Sequence, residues 1–128
     1  MKPTILVFNI PSDKLSKLRF TCMRMGIQVQ GVDAADYGQS IGALCGMADR
    51  TEAPAPAETF AEDMLVMSGF TQQLASRFLA ALKQGRLFIR LKAVVTPTNA
   101  QWNPVQLYKE LTAERAAIAQ GKEAEHHD

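Results

Sequence analysis

The sequence predicts an α+β fold, a ferredoxin-like βαβ-βαβ arrangement with a four-stranded antiparallel sheet and an additional C-terminal helix. Two observations predict it. Strand, amphipathic helix and strand follow one another in residues 4–32, and the same order returns in residues 64–96. A complete helix start then follows the last strand. Two βαβ units of this kind commonly interleave into an antiparallel sheet with both helices on one face. A mixed sheet covered on both faces is the competing layout, with the last helix over the otherwise open face.

Residues 4–10 are large and apolar on both faces of an extended chain, the pattern of a central strand. Pro11-Ser12-Asp13 breaks the strand, and Ser12 is the expected N-cap of a helix running to Met25. Leu15, Leu18, Cys22 and Met25 form its buried stripe, and Gly26 suits its C-terminal stop. Residues 27–32 alternate apolar and polar, as in a strand with one wet face. A short helix is expected at residues 41–45. Residues 48–61, with Pro54, Pro56 and several alanines, read as a mobile loop.

Met64 to Met67 form a short buried strand, and Thr71 caps a helix carrying Leu74, Phe78, Ala81 and Leu82 on one face until Gly85. Residues 87–96 read as one long strand with Leu87, Ile89, Leu91, Ala93 and Val95 on a common face. Asn103-Pro104-Val105-Gln106 places a cap, a first-turn proline and a glutamine three residues past the cap. That helix fades after Gln120-Gly121. Residues 1–120 thus form a single domain, and residues 121–128 a disordered tail.

Apolar residues make up 47% of the 128, enough for a core without disulfide or metal. No apolar run approaches membrane-spanning length, and the N-terminus lacks the features of a secretory signal, so a cytoplasmic protein without membrane contact is expected. Cys22 and Cys45 sit among apolar neighbours and are expected to be buried and inert.

No phosphate-cradling glycine fingerprint is present, and Gly38, Gly42 and Gly46 are assigned to packing or helix ends. His126 and His127 lie in the expected tail, which leaves no histidine base for a nucleophile within the body. Asp33, Asp36, Glu62 and Asp63 read as solvated loop acids. No metal site, cofactor or catalytic residue is therefore assigned.

The net charge is +1 but unevenly spread. Residues 71–100 hold Arg77, Lys83, Arg86, Arg90 and Lys92 without an acid, whereas residues 51–70 hold Glu52, Glu58, Glu62 and Asp63 without a base. The simplest expectation is that these segments neutralise each other across the fold. The segment from Lys92 to Trp102 is the densest in chemistry-bearing side chains. Lys92, Thr96, Thr98 and Asn99 offer donors to an anion, and Trp102 offers a stacking surface. The same residues also suit scaffolding, since Thr and Asn close turns and Trp102 with Leu107 has the spacing of a hydrophobic staple.

Residues 62–114 resemble a small bacterial family catalogued as domain of unknown function 3783. The resemblance is carried by Met64 to Phe70, by Leu74 with Phe78 to Leu82, by Leu91 to Asn99 with Trp102, and by the Leu107 to Leu111 helix. It implies that the Lys–Thr–Pro–Thr–Asn–Trp segment is a family hallmark, and it implies no activity. The leading expectation is a non-catalytic binding, regulatory or self-associating module, with a second copy or another protein as partner. The alternative is an enzyme or a nucleotide- or anion-binding protein that takes a small anionic ligand at Lys92 to Trp102. A weak nucleic-acid binder using the basic strip at 71–100 is the least favoured reading.

Overall fold

The computed structural model describes residues 2–126. In chain order they form β1 (Thr4–Phe8), α1 (Ser12–Met25), β2 (Gln28–Gly31), α2 (Ile41–Leu44), β3 (Met64–Ser68), α3 (Gln72–Gln84), β4 (Leu91–Val94) and α4 (Pro104–His126). The fold is α+β, and its sheet is mixed rather than antiparallel. The strand order is β2-β1-β3-β4. β1 runs parallel to β2, β3 runs parallel to β4, and the two pairs meet through antiparallel β1 and β3. The expected ferredoxin-like interleaving does not occur. Each helix instead returns the chain to the strand beside the one it left, and each βαβ unit closes on itself.

The two units are built alike in detail. Left-handed residues follow both first strands, at Asn9 and Gly69, and end both helices, at Gly26 and Arg86. Both helices finish in the same six-residue hydrogen-bond closure, from Ile27 N to Cys22 O at 2.9 Å and from Leu87 N to Leu82 O at 2.8 Å. The buried pairs Leu18 and Cys22 on α1 correspond to Phe78 and Leu82 on α3. At the helix starts the two differ. Thr71 accepts from Leu74 N at 3.1 Å as the sequence suggests, but Pro11, not Ser12, occupies the cap position of α1 and supplies no side-chain bond.

Alternation along β1 and β3 divides the core into two layers. Ile5, Val7, Leu65 and Met67 face α1 and α3, while Leu6, Phe8, Met64 and Val66 face a layer made of α2, residues 33–61 and α4. The last helix thus covers the second face of its own sheet. The expected strand at 87–96 is shorter than its pattern suggests. Leu87 and Ile89 pack with α1 and α3, whereas Leu91, Ala93 and Val95 pack on the opposite side. A bend at Arg90, whose N–H donates to Asp63 Oδ2 at 2.8 Å, breaks the alternation, and Phe88 and Val94 are left exposed.

Residues 48–61 lack regular structure, as expected, but they are tied down. The Gln39 side chain both donates to Thr51 O (2.6 Å) and accepts from Thr51 N (2.9 Å). Phe60 stacks between Tyr37 at 5.1 Å and Tyr108 at 4.6 Å, with Phe8 tilted against it at 6.0 Å. Gly38 permits a close approach, since a Cβ there would lie 2.5 Å from the carbonyl oxygens of Ala53 and Pro54. Prolines and alanines read as mobile because they carry no strand or helix pattern. Here one aromatic, the side-chain amides of Gln39 and Asn9 and ion pairs at Arg50 and Glu58 supply the anchoring.

At the other end α4 starts as its sequence indicates, with Asn103 Oδ1 accepting from Gln106 N at 2.8 Å. Trp102 and Leu107 belong to the same core cluster, consistent with a staple. The backbone stays helical past Gly121, where the sequence suggests fading, and reaches His126. His127 and Asp128, the end of the expected tail, lie outside the described residues. Among the described residues no helix is long and apolar enough to cross a membrane.

Candidate functional site

The Lys92–Trp102 segment leaves the end of β4, passes through a one-turn 3₁₀ helix at Asn99–Gln101 and enters α4. Its polar groups largely serve one another. Thr96 N donates to Asn99 Oδ1 at 2.8 Å, Asn99 N donates to the Thr96 hydroxyl at 3.0 Å, and Asn99 Nδ2 donates to Val94 O at 3.0 Å. Leu91 N and Val95 N point at β3, so the groups of Lys92 and Val94 point to the open edge. Asn99 therefore closes the last outward carbonyl of the edge strand. Ile41 N reaches Trp102 O at 2.8 Å, and Gly42 packs against the Ala100 carbonyl, which fastens the loop to α2.

Lys92, Thr96, Asn99 and Trp102 do line one cleft of about 330 Å³, and Thr98 stands outside it. Glu110 and Glu114 line the same cleft. These two were missed in the sequence, although their four-residue spacing puts both carboxylates on one helical face. Lys92 gives its ammonium to Ile89 O at 2.9 Å. The field in the cleft is therefore set by two carboxylates with one engaged cation, which favours a neutral or cationic group over an anion.

Other candidate chemistry is quiet. Burial pushes the Cys22 thiol up to about 12 and raises that of Cys45, so neither provides a thiolate near neutral pH. Glu62 is no free loop acid. It accepts from the Tyr108 hydroxyl at 3.0 Å and from Arg115 at 3.3 Å, and lies 3.6 Å from Arg90. The Tyr108 bond, helped by Arg115 and Arg90, holds its carboxyl below the ordinary range, and the Tyr108 phenol is raised by the same bond. Among the described residues no group of three or more His, Cys, Asp or Glu side chains is placed to hold a metal.

The charges tell a different story from the one their sequence segments suggest. The ion pairs among the described residues are Arg50–Asp36, Arg90–Glu62, Lys109–Glu58 and Arg115–Glu62, so of the basic strip only Arg90 reaches the acidic segment. α1 and α3 with the turn after it carry Lys14, Lys17, Arg19, Arg24, Arg77, Lys83 and Arg86 against the single acid Asp13. Lys14 donates to Phe88 O at 2.6 Å, and none of the seven forms an ion pair with another described residue. With the whole chain at +1, the helix layer is strongly basic and the rest is net acidic. The sequence conceals this because four of the cations lie in the first unit and three in the second, and only the fold sets α1 beside α3. Phe20 at 59% and Met23 at 69% exposure stand among them.

The comparisons bear on the second unit. Residues 63–118 match a domain of unknown function (DUF3783). The DUF3783 segment opens just before β3 and takes in α3, β4, the Lys92–Trp102 loop and the packed part of α4. It supplies one half of the basic layer, and α1, outside the segment, supplies the other. Neither a curated protein nor a solved structure matches the chain.

Proposed function

We propose that this chain is a non-catalytic binding module whose working surface is the α1/α3 helix layer, and that the surface docks a polyanionic partner. One observation carries the reading: seven cations from two antiparallel halves share one face with one acid, while the ion pairs gather elsewhere. Such a field concentrates anions near the surface even though the net charge is close to zero. Self-association through the sheet has less support, because β4 is short, carries Lys92 at its edge and has its last outward carbonyl closed by Asn99. Anionic-ligand binding at the hallmark loop is disfavoured by Glu110 and Glu114 in its cleft.

The test is retention on immobilised heparin. The protein is expected to bind at low salt and to elute as salt rises, with the logarithm of affinity falling linearly against the logarithm of salt. The Lys17→Glu/Arg19→Glu/Lys83→Glu variant, altered only at exposed helix positions, is expected to flow through. Equal retention of the variant and the parent contradicts the proposal.

A further inference from the structure

A cleft of about 430 Å³ opens between α1 and α3 on the outer side of the basic layer. Arg24 and Arg77 line it from opposite helices, with Thr21 and Gln84 contributing a hydroxyl and an amide and Met25 and Ala81 an apolar floor. No carboxylate lines it, and neither arginine has an ion-pair partner among the described residues. Two cationic side chains lining one space without a counter-charge repel each other, and an anion between them relieves that repulsion. Guanidinium forks match phosphate oxygens in pairs, and Gln and Thr add neutral donors of the kind that position a phosphate. Arg24 also lies 5.9 Å from the centre of the exposed Phe20 ring, so a planar cation and an aromatic face adjoin the cleft.

Resting on the polyanion reading, we infer that the Arg24/Arg77 cleft seats a backbone phosphate of single-stranded nucleic acid and that Phe20 stacks on a neighbouring base. The charge complementarity fits any polyanion. The hydrogen-bonding side chains at fixed helical positions and the adjacent aromatic face favour a phosphodiester joined to a base over the fluid surface of a lipid bilayer.

The experiment titrates the full chain against a fluorescein-labelled single-stranded 20-mer at several salt concentrations, with polyphosphate and phosphatidylglycerol vesicles as further probes. Arg24→Ala/Arg77→Ala is expected to bind the oligonucleotide about 30-fold more weakly, with a log–log salt slope shallower by roughly 1.4. Arg19→Ala/Lys83→Ala removes the same charge from the basic layer outside the cleft and is expected to weaken binding by about threefold, a tenth of the effect at the cleft. Phe20→Ala is expected to weaken the oligonucleotide about tenfold and leave polyphosphate unchanged. Melting curves of all three variants, each at exposed positions, confirm that folding is intact. Equal loss in the two double variants overturns the cleft while leaving the basic layer as the docking face. Binding to vesicles without binding to the oligonucleotide overturns the nucleic-acid assignment. Failure of the parent protein to bind any of the three probes at low salt removes both the cleft and the polyanion reading beneath it.

Discussion

Phe60→Ala is expected to destabilise the protein by about 3–5 kcal/mol, the usual cost of emptying a buried phenylalanine site. Phe60 is 9% exposed and is the middle ring of a stack running from Tyr37 through Phe60 to Tyr108, with Phe8 of the central strand against its side. It comes from a segment without secondary structure, where the backbone is held by the Asn9 amide, which donates to Phe60 O at 2.9 Å and to Glu62 O at 3.1 Å. The ring also packs residues 48–61 against both β1 and α4, beside the Lys109–Glu58 ion pair. Deletion leaves a cavity between two tyrosines, and it also loosens the setting of the Tyr108–Glu62 bond. Denaturant unfolding of parent and variant measures the loss. A difference below about 1 kcal/mol, which is typical of surface substitutions, would mean that the segment does not pack as described.

Asn99→Ala has the second largest expected effect, about 2–4 kcal/mol, because it unpairs two backbone groups at once. Asn99 is 8% exposed, and its side chain accepts from Thr96 N while donating to Val94 O. Alanine leaves the Thr96 donor without its partner and reopens the last outward carbonyl of β4. The variant is therefore expected to lose stability and to gain a tendency to pair through its sheet edge, seen as larger species in sedimentation. Asn99→Asp keeps the acceptor for Thr96 N but sets a carboxylate against the Val94 carbonyl, so it is expected to recover only part of the loss. A ligand-binding role for this residue predicts the opposite pattern, with full stability retained. The two readings separate in one unfolding experiment.

Both cases show what the chain discloses before folding. The strand–helix grammar, the Thr71 and Asn103 caps and the glycine stop of α1 were legible, since each depends on residues within a turn or two of one another. Sheet order was not. A βαβ unit that closes on itself and one that interleaves share the same local pattern, and only the long-range pairing of Thr4 with Ser68 through Phe8 with Met64 decides between them. The single strand read at 87–96 failed for a similar reason. Its alternation of large residues is unbroken in the sequence, and the change of face at Arg90 is imposed by Asp63 from another part of the chain.

The candidate site was legible as a place and less so as chemistry. Lys92, Thr96, Asn99 and Trp102 do converge, but the hydroxyl and amide that look available to a ligand complete the turn's own hydrogen bonds. The basic layer was harder to see. Its cations are divided between α1 and α3, far apart in the chain, and the acids that neutralise them in a residue count are placed on the opposite layer.

The claim that this layer is the working surface is tested most directly by following backbone amide resonances during titration with a short heparin oligosaccharide at low salt. Docking on the helix layer gives progressive, salt-reversible shifts at α1, α3 and Arg86, with residues 48–61 and α4 unmoved. Shifts confined to the cleft beside Glu110 and Glu114, or none at any residue, would contradict it.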